Sequence, residues 1–226
     1  MKRRVAVLAV VLGAVALAYV LLPLGLRRID FFRVRQVELV GVRYLSPERV
    51  LAGLMLPSDL NLFDPLGDLE QRAESVPGIV RATAARRLPA TLRISVVEEL
   101  PVAFARGSGG LVPLDGAGHP LPYDAAATGF DLPIVERPDS VLTRILTLVR
   151  RTDATLFEQV DAARRGRDES VILEVGTRRV LLGSGAVEDD IRAVRAVRLH
   201  LTQQEIPFRE LDARFEGWVV VRRGRA

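Results

Sequence analysis

Thr91-Leu92-Arg93-Ile94-Ser95-Val96-Val97 alternates apolar and polar residues at a period of two. That is the pattern of a strand with one buried face, here Leu92, Ile94 and Val96, and one open face, Arg93 and Ser95. Leu88-Pro89-Ala90 just before it reads as a turn, and Ile79 to Arg87 before that as another extended run. Further back, Leu62, Leu66, Leu69, Ala73 and Val76 recur at three- and four-residue steps, as on one helix face that stops at Pro77-Gly78. Ser46-Pro47-Glu48 opens an earlier helix with apolar Val50, Leu51 and Leu54; Ser46 caps it and Pro47 sits where no N–H is needed. Val37-Glu38-Leu39-Val40 is a short strand ended by Gly41. The order is strand, helix, helix, strand, strand, which predicts a small sheet with two helices on one side.

The chain before this block points to a membrane. Val5 to Leu26 runs for about 22 residues without a charge, which suits the ~20 needed to span a bilayer as a helix. Lys2, Arg3 and Arg4 precede it, and Arg27 and Arg28 come after it. A cleaved signal peptide would have a shorter apolar region and a small-x-small site, and Leu21-Leu22-Pro23-Leu24-Gly25-Leu26 offers neither. The expectation is a retained single span at 5–26, a four-residue cytoplasmic tail at 1–4, and the folded part outside the cytoplasm.

After the first block the pattern changes. Two apolar runs flank Asp115-Gly116, a hairpin signal, and Leu132-Pro133-Ile134-Val135 reads as a strand. Val141 to Val149 has helical spacing. Val171–Val175 and Arg179–Leu182 read as strands around Gly176-Thr177. Val187, Ile191, Val194, Val197 and Leu201 form the stripe of a helix that begins with Glu188, Asp189 and Asp190, suited to the positive end of its dipole. Leu211 to Phe215 then leads through Glu216-Gly217 to Trp218-Val219-Val220-Val221-Arg222.

Composition narrows the function. Net charge is +4, and Lys2 is the lone lysine. The sequence pI near 10.2 therefore reflects arginine rather than a strong positive field, and nucleic-acid binding is not expected. With no cysteine, disulfides and thiolate chemistry are excluded. His119 and His200 lack metal-ligand spacing. Glu98-Glu99 reads as a solvated strand end, since neighbours on a strand point to opposite faces. Gly107-Ser108-Gly109-Gly110 has the composition of a phosphate loop but no following Lys, and reads as a turn. No catalytic constellation, metal site or cofactor site is expected.

The ordered set Val37-Glu38-Leu39-Val40-Gly41-Val42, Leu45-Ser46-Pro47-Glu48, Asn61-Leu62-Phe63, Val76-Pro77-Gly78-Ile79-Val80 and Arg86-Arg87-Leu88-Pro89-Ala90-Thr91-Leu92, with Val96-Val97-Glu98-Glu99-Leu100-Pro101-Val102-Ala103, resembles a POTRA domain. More narrowly it resembles that of the bacterial cell-division family FtsQ/DivIB. The later part, including Asp212-Ala213-Arg214-Phe215 and Val219-Val220-Val221-Arg222, resembles that family's β-domain. The resemblance implies an α+β chain: a transmembrane helix, a POTRA domain (β-α-α-β-β) at 31–100, and a mainly antiparallel β-domain with flanking helices at 101–223. It implies a non-catalytic scaffold at the division septum that binds FtsB/FtsL-type division proteins and, further on, FtsW/FtsI-type synthase components, with no small-molecule substrate. The alternative is a POTRA component of outer-membrane assembly or secretion. Such proteins normally join POTRA repeats to a membrane barrel, and one copy without barrel strands is read here.

In that family the last strands of the β-domain receive a partner segment. The implied partner surface is therefore Trp218, Val219, Val220, Val221 and Arg222, with Trp218 as an apolar anchor and Arg222 and Arg223 meeting partner acids. The competing reading is a Val-rich strand that merely closes the core. Val220→Pro is the expected probe of an outward N–H. A secondary surface is expected at Val37, Glu38, Leu39 and Val40.

Overall fold

The computed structural model describes residues 11–15, 17, 19, 25–27 and 29–224. The tail at 1–4 and most of the expected anchor at 5–26 lie outside the described residues. Among those described, no helix is long and apolar enough to cross a membrane. The chain forms two compact units, Met1–Glu98 and Glu99–Ala226.

The first unit holds β1 (Gln36–Val40), α1 (Pro47–Leu54), α2 (Gly67–Glu74), β2 (Ile79–Arg87) and β3 (Thr91–Glu98). The sheet order is β1-β3-β2, with β1 parallel and β2 antiparallel to the central β3. On β3 the alternation buries Leu92, Ile94 and Val96, and Val50, Leu54, Leu69 and Ala73 of the helices are buried as well. Ser46 Oγ accepts the Arg49 N–H and Pro47 opens α1. Gly41 leaves β1 with φ +90, and a Cβ there would lie 2.2 Å from the Val96 carbonyl oxygen, so only glycine passes.

One expected helix is shorter than its stripe. Leu62 and Leu66 are buried with Leu69, Ala73 and Val76, but α2 begins only at Gly67. Pro65 keeps Asp64 out of the helical region, and a local turn takes over. Asn61 Oδ1 accepts the Phe63 N–H at 3.0 Å and Asp64 Oδ2 accepts the Asn61 N–H at 2.9 Å.

Glu98 is not a solvated strand end. Its carboxylate accepts the N–H groups of Arg43, Tyr44 and Leu45 at 2.9–3.2 Å, pinning the connection into α1. On the outer side of β2, Glu74 and Glu70 accept the Ala82 and Ala84 N–H groups at 3.0 and 2.7 Å. One edge of this small sheet is thus capped by helix side chains, which discourages strand pairing there.

The second unit is a single eight-stranded sheet. Its strands are β4 (Ala103–Gly107), β5 (Gly110–Leu114), β6 (Ile134–Val135), β7 (Ala162–Arg165), β8 (Val171–Val175), β9 (Arg178–Leu182), β10 (Glu210–Phe215) and β11 (Trp218–Arg222). Its helices are α3 (Ala125–Thr128), α4 (Ser140–Thr152), α5 (Ala154–Phe157) and α6 (Glu188–Gln203). The order is β11-β10-β9-β8-β7-β6-β4-β5. The expected antiparallel pairing holds for four of the seven neighbouring pairs, whereas β4–β6, β6–β7 and β9–β10 are parallel. Parallel neighbours need a crossover connection. α4 and α5 supply it between β6 and β7, and α6 between β9 and β10.

The core gathers Ile145, Leu146 and Val149 of α4, Ile191 and Val194 of α6, and Leu173, Val180, Leu182 and Leu211 of the sheet. Val187, expected on the α6 stripe, instead precedes the helix as its cap residue and is 58% exposed.

Candidate partner-binding edge

β11 is the terminal strand of the eight-stranded sheet and has β10 as its one strand neighbour. The two form a hairpin: Phe215 pairs with Trp218, and Gly217 turns the chain with φ +74. The register then runs Asp212↔Val220, Leu211↔Val221 and Glu210↔Arg222, with a bulge between Asp212 and Phe215.

The side chains of β11 divide by face. Val219 and Val221 pack against the core. Trp218 is 75% exposed and Val220 45%. The Val-rich run therefore does both jobs weighed from the sequence: alternate valines close the core, and the others reach solvent.

The backbone divides in the opposite sense. Arg179 N–H donates to the Arg209 carbonyl at 3.0 Å, and Glu210 stands opposite Arg179 in a parallel pair. This phase turns the N–H and C=O of Leu211 and Ala213 toward β9, and those of Glu210 and Asp212 toward β11. Val220 and Arg222, opposite Asp212 and Glu210, bond inward. The outward N–H groups belong to Val219 and Val221. Val220→Pro is therefore the wrong probe of the open edge, because it removes a donor that holds β11 to its own sheet.

Buried carboxylates bind the exposed arginines of this face. Glu210, with its side chain only 3% exposed, lies between Arg179 of β9 and Arg222 of β11; Arg222 Nε is 3.0 Å from Glu210 Oε1. Arg222, expected to meet a partner's acid, is already paired. Arg223 is exposed and makes no ion pair among the described residues. Next along β10, Arg214 forks onto Asp212 with Nε–Oδ1 2.7 Å and Nη2–Oδ2 2.6 Å, and also meets Asp168. The Arg214 hydrogen bond, working against burial, holds the Asp212 carboxyl below the usual aspartate range, and Asp212 in turn pushes the Arg214 guanidinium up. The edge is thus tied to β9 and β10 by ion pairs, with Trp218 and Val220 as its exposed apolar side chains.

Residues 32–99 match the family of FtsQ-type POTRA domains. The chain is also 33% identical over 130 residues to the cell division protein FtsQ of Mycobacteroides abscessus. Residues 32–99 are thus an FtsQ-type POTRA domain. The aligned stretch is 52% of this chain and 41% of that relative, so the match spans under half of the relative's length.

Within the FtsQ-type POTRA domain, the expected secondary residues lie on the edge strand β1. Val37 and Leu39 are half-buried and Val40 is 41% exposed. Glu38 is not available as a free acid: Arg93, its register partner on β3, grips both carboxylate oxygens at 2.7 and 2.8 Å. That hydrogen bond holds Glu38 below the usual glutamate range. The two histidines are apart from these strands. His119 is in the turn after β5, its Nδ1 3.3 Å from Asp115 Oδ2, and His200 is exposed on α6.

Proposed function

We propose that this chain is a non-catalytic, single-span scaffold of the bacterial division machinery. Its two units lie outside the cytoplasm at the septum and hold FtsB/FtsL-type division proteins. The similarity to a cell division protein supports the setting. The main contact is strand addition along β11, the open edge of β1 is a secondary docking site, and FtsW/FtsI-type components are further partners.

The observation that carries the reading is the division of labour on β11. The outward N–H groups of Val219 and Val221 form a row that an incoming strand satisfies, while exposed Trp218 and Val220 select its side chains. Because Arg222 is held by Glu210, Arg223 is a free cation, among the described residues, for a partner acid.

The test compares two prolines in the full chain. Val221→Pro removes an outward donor and is expected to leave the unit folded while weakening binding of an FtsB-like segment at least tenfold. Val220→Pro removes an inward donor and is expected to loosen β11 itself. Trp218→Ala, at an exposed position, is expected to cost binding about tenfold or more without changing the unfolding midpoint. A folded Val221→Pro chain that binds the segment with unaltered affinity rules out strand addition at this edge.

A further inference from the structure

We propose that Ile29 and Phe31 form a collar that seats the first unit on the bilayer surface, their side chains entering the interfacial layer. The proposal rests on the reading of residues 5–26 as a span.

The chain is turned around Asp30–Phe32. Ile29 N–H donates to the Leu26 carbonyl, Phe32 N–H to Ile29 and Arg33 N–H to Asp30, each at 3.1 Å. Asp30–Phe32 is a turn of 3-10 helix. Phe31 is five residues beyond Leu26. Five extended residues would reach ~17 Å. The headgroup layer is roughly 5–7 Å deep on each side of the hydrocarbon, so side chains this close in sequence to the end of the span are within reach of it.

The joint is also fastened to the unit. Arg27 Nε donates to the Phe63 carbonyl at 2.8 Å, Asn61 Nδ2 to the Ile29 carbonyl at 3.2 Å, and Leu62 N–H to the Phe32 carbonyl at 3.0 Å. The Phe32 ring packs edge-on against Phe63 with centroids 5.0 Å apart. Arg86 in turn holds the carbonyls of Leu62 and Asp64. The stretch from Ile29 to Arg33 is therefore a strut with defined side-chain directions.

On this strut Phe32 is half-buried, while Phe31 is 58% and Ile29 44% exposed. The neighbouring charges are engaged: Arg33 with Asp30 at 3.0 Å, and Arg35 with the Phe31 carbonyl at 3.1 Å. Two apolar side chains are too small for a protein interface, which needs ~800 Å² per partner. They suit a bilayer, which the same chain brings within reach and where apolar and aromatic side chains are favoured. With Asp30, Arg33 and Arg35 engaged among the described residues, the proposed seating is apolar, and its expected signature is persistence at high salt.

The test uses the full chain. Trp218 is its one tryptophan, so Trp218→Phe gives a silent background. Into it go Phe31→Trp, Ile29→Trp as an independent second reporter, and Val97→Trp as a control. Val97 is 57% exposed at the far end of β3 from Thr91, which pairs with Gln36. Each chain is reconstituted into phosphatidylcholine vesicles with lipids brominated near the headgroup, floated on a gradient, and read for quenching at low and high salt. The expected result is flotation, with at least twofold quenching at position 31 or 29 that persists at high salt, and none at 97. Flotation with both collar reporters unquenched, or quenching equal at 97, overturns the collar and leaves the span intact. Failure to float overturns both.

Discussion

Glu210 of β10 and Arg222 of β11 face each other in register, with Oε1 and Nε 3.0 Å apart, the acid buried and the base largely in solvent. The pair is asymmetric, and so are its consequences. Removing Arg222 leaves Glu210 with Arg179; removing Glu210 leaves two arginines side by side with nothing between them.

Glu210→Ala is expected to lower stability by about 1–2 kcal/mol, below the cost of breaking a fully buried pair because both arginines stay hydrated. Arg222→Ala is expected to cost under ~1 kcal/mol. Urea unfolding measures the difference. Hydrogen exchange at Val220 and Arg222 should accelerate in the glutamate variant. Equal effects of the two substitutions would show that Glu210 does not organise the edge.

Gly53 lies mid-helix in α1, where alanine normally gains about 1 kcal/mol. Here the added Cβ would sit 2.2 Å from Val76 Cγ2, and Val76 is only 6% exposed. Gly53→Ala is therefore expected to destabilise the first unit by about 1–3 kcal/mol. Adding Val76→Ala should recover part of that loss in a double-mutant cycle. A stabilised single variant would contradict the packing described.

Asp153 and Arg198 form a buried bridge between the start of α5 and α6, 2.8 Å apart with side chains 3% and 14% exposed. Asp153→Ala strands the arginine and is expected to cost about 3–5 kcal/mol. Asp153 also caps Leu156 N–H. Asp153→Ser combined with Arg198→Met keeps the cap, removes both charges, and should be the milder change. Thermal melts of the single and double variants decide it.

Acid should unfold the second unit in a defined window. Burial pushes the Asp139 carboxyl up, but bonds from Leu142 N–H, the Arg165 guanidinium and Val141 N–H together outweigh it and leave it below the ordinary value. Asp212 is depressed as well, chiefly by Arg214. A carboxyl with a depressed folded pKa adds stability above its unfolded value of about 3.9, lost as pH falls through the folded value. The urea midpoint is expected to hold from pH 6 to near 4 and then drop. Asp139→Asn and Asp212→Asn should start lower at pH 6 and drop less.

What could be read from the sequence was what local periodicity records. Leu92, Ile94 and Val96 announced the central strand of the first unit, and Ile191, Val194 and Leu201 announced α6. Where one residue breaks a period, the reading overshot: Pro65 shortens α2 although its buried stripe is intact. β7 was illegible because Ala162-Ala163-Arg164-Arg165 buries only Ala163 and carries no β-branched residue. The partner edge was legible as a strand but not as a hydrogen-bonding surface. Which of Val219, Val220 and Val221 turns its N–H outward depends on how β10 registers against β9, a contact between residues some thirty positions apart. Pairing was hidden for the same reason: Glu98 and Arg222 read as free charges because their partners are remote in sequence or across a strand.

β10 lies beside β9 in parallel, so no tight turn can join them; the chain must first pass through α6 and pack it over the sheet. Until that crossover is complete, the β10–β11 hairpin has no β9 to dock on, and β11 is not yet the edge of the eight-stranded sheet. The pentapeptide Trp218–Arg222 in an unfinished chain carries the same side chains but not the ordered row of donors and acceptors. If a partner strand does add here, as proposed, its binding would double as a proofreading step, accepting only chains whose domain has been built through to its outermost strand.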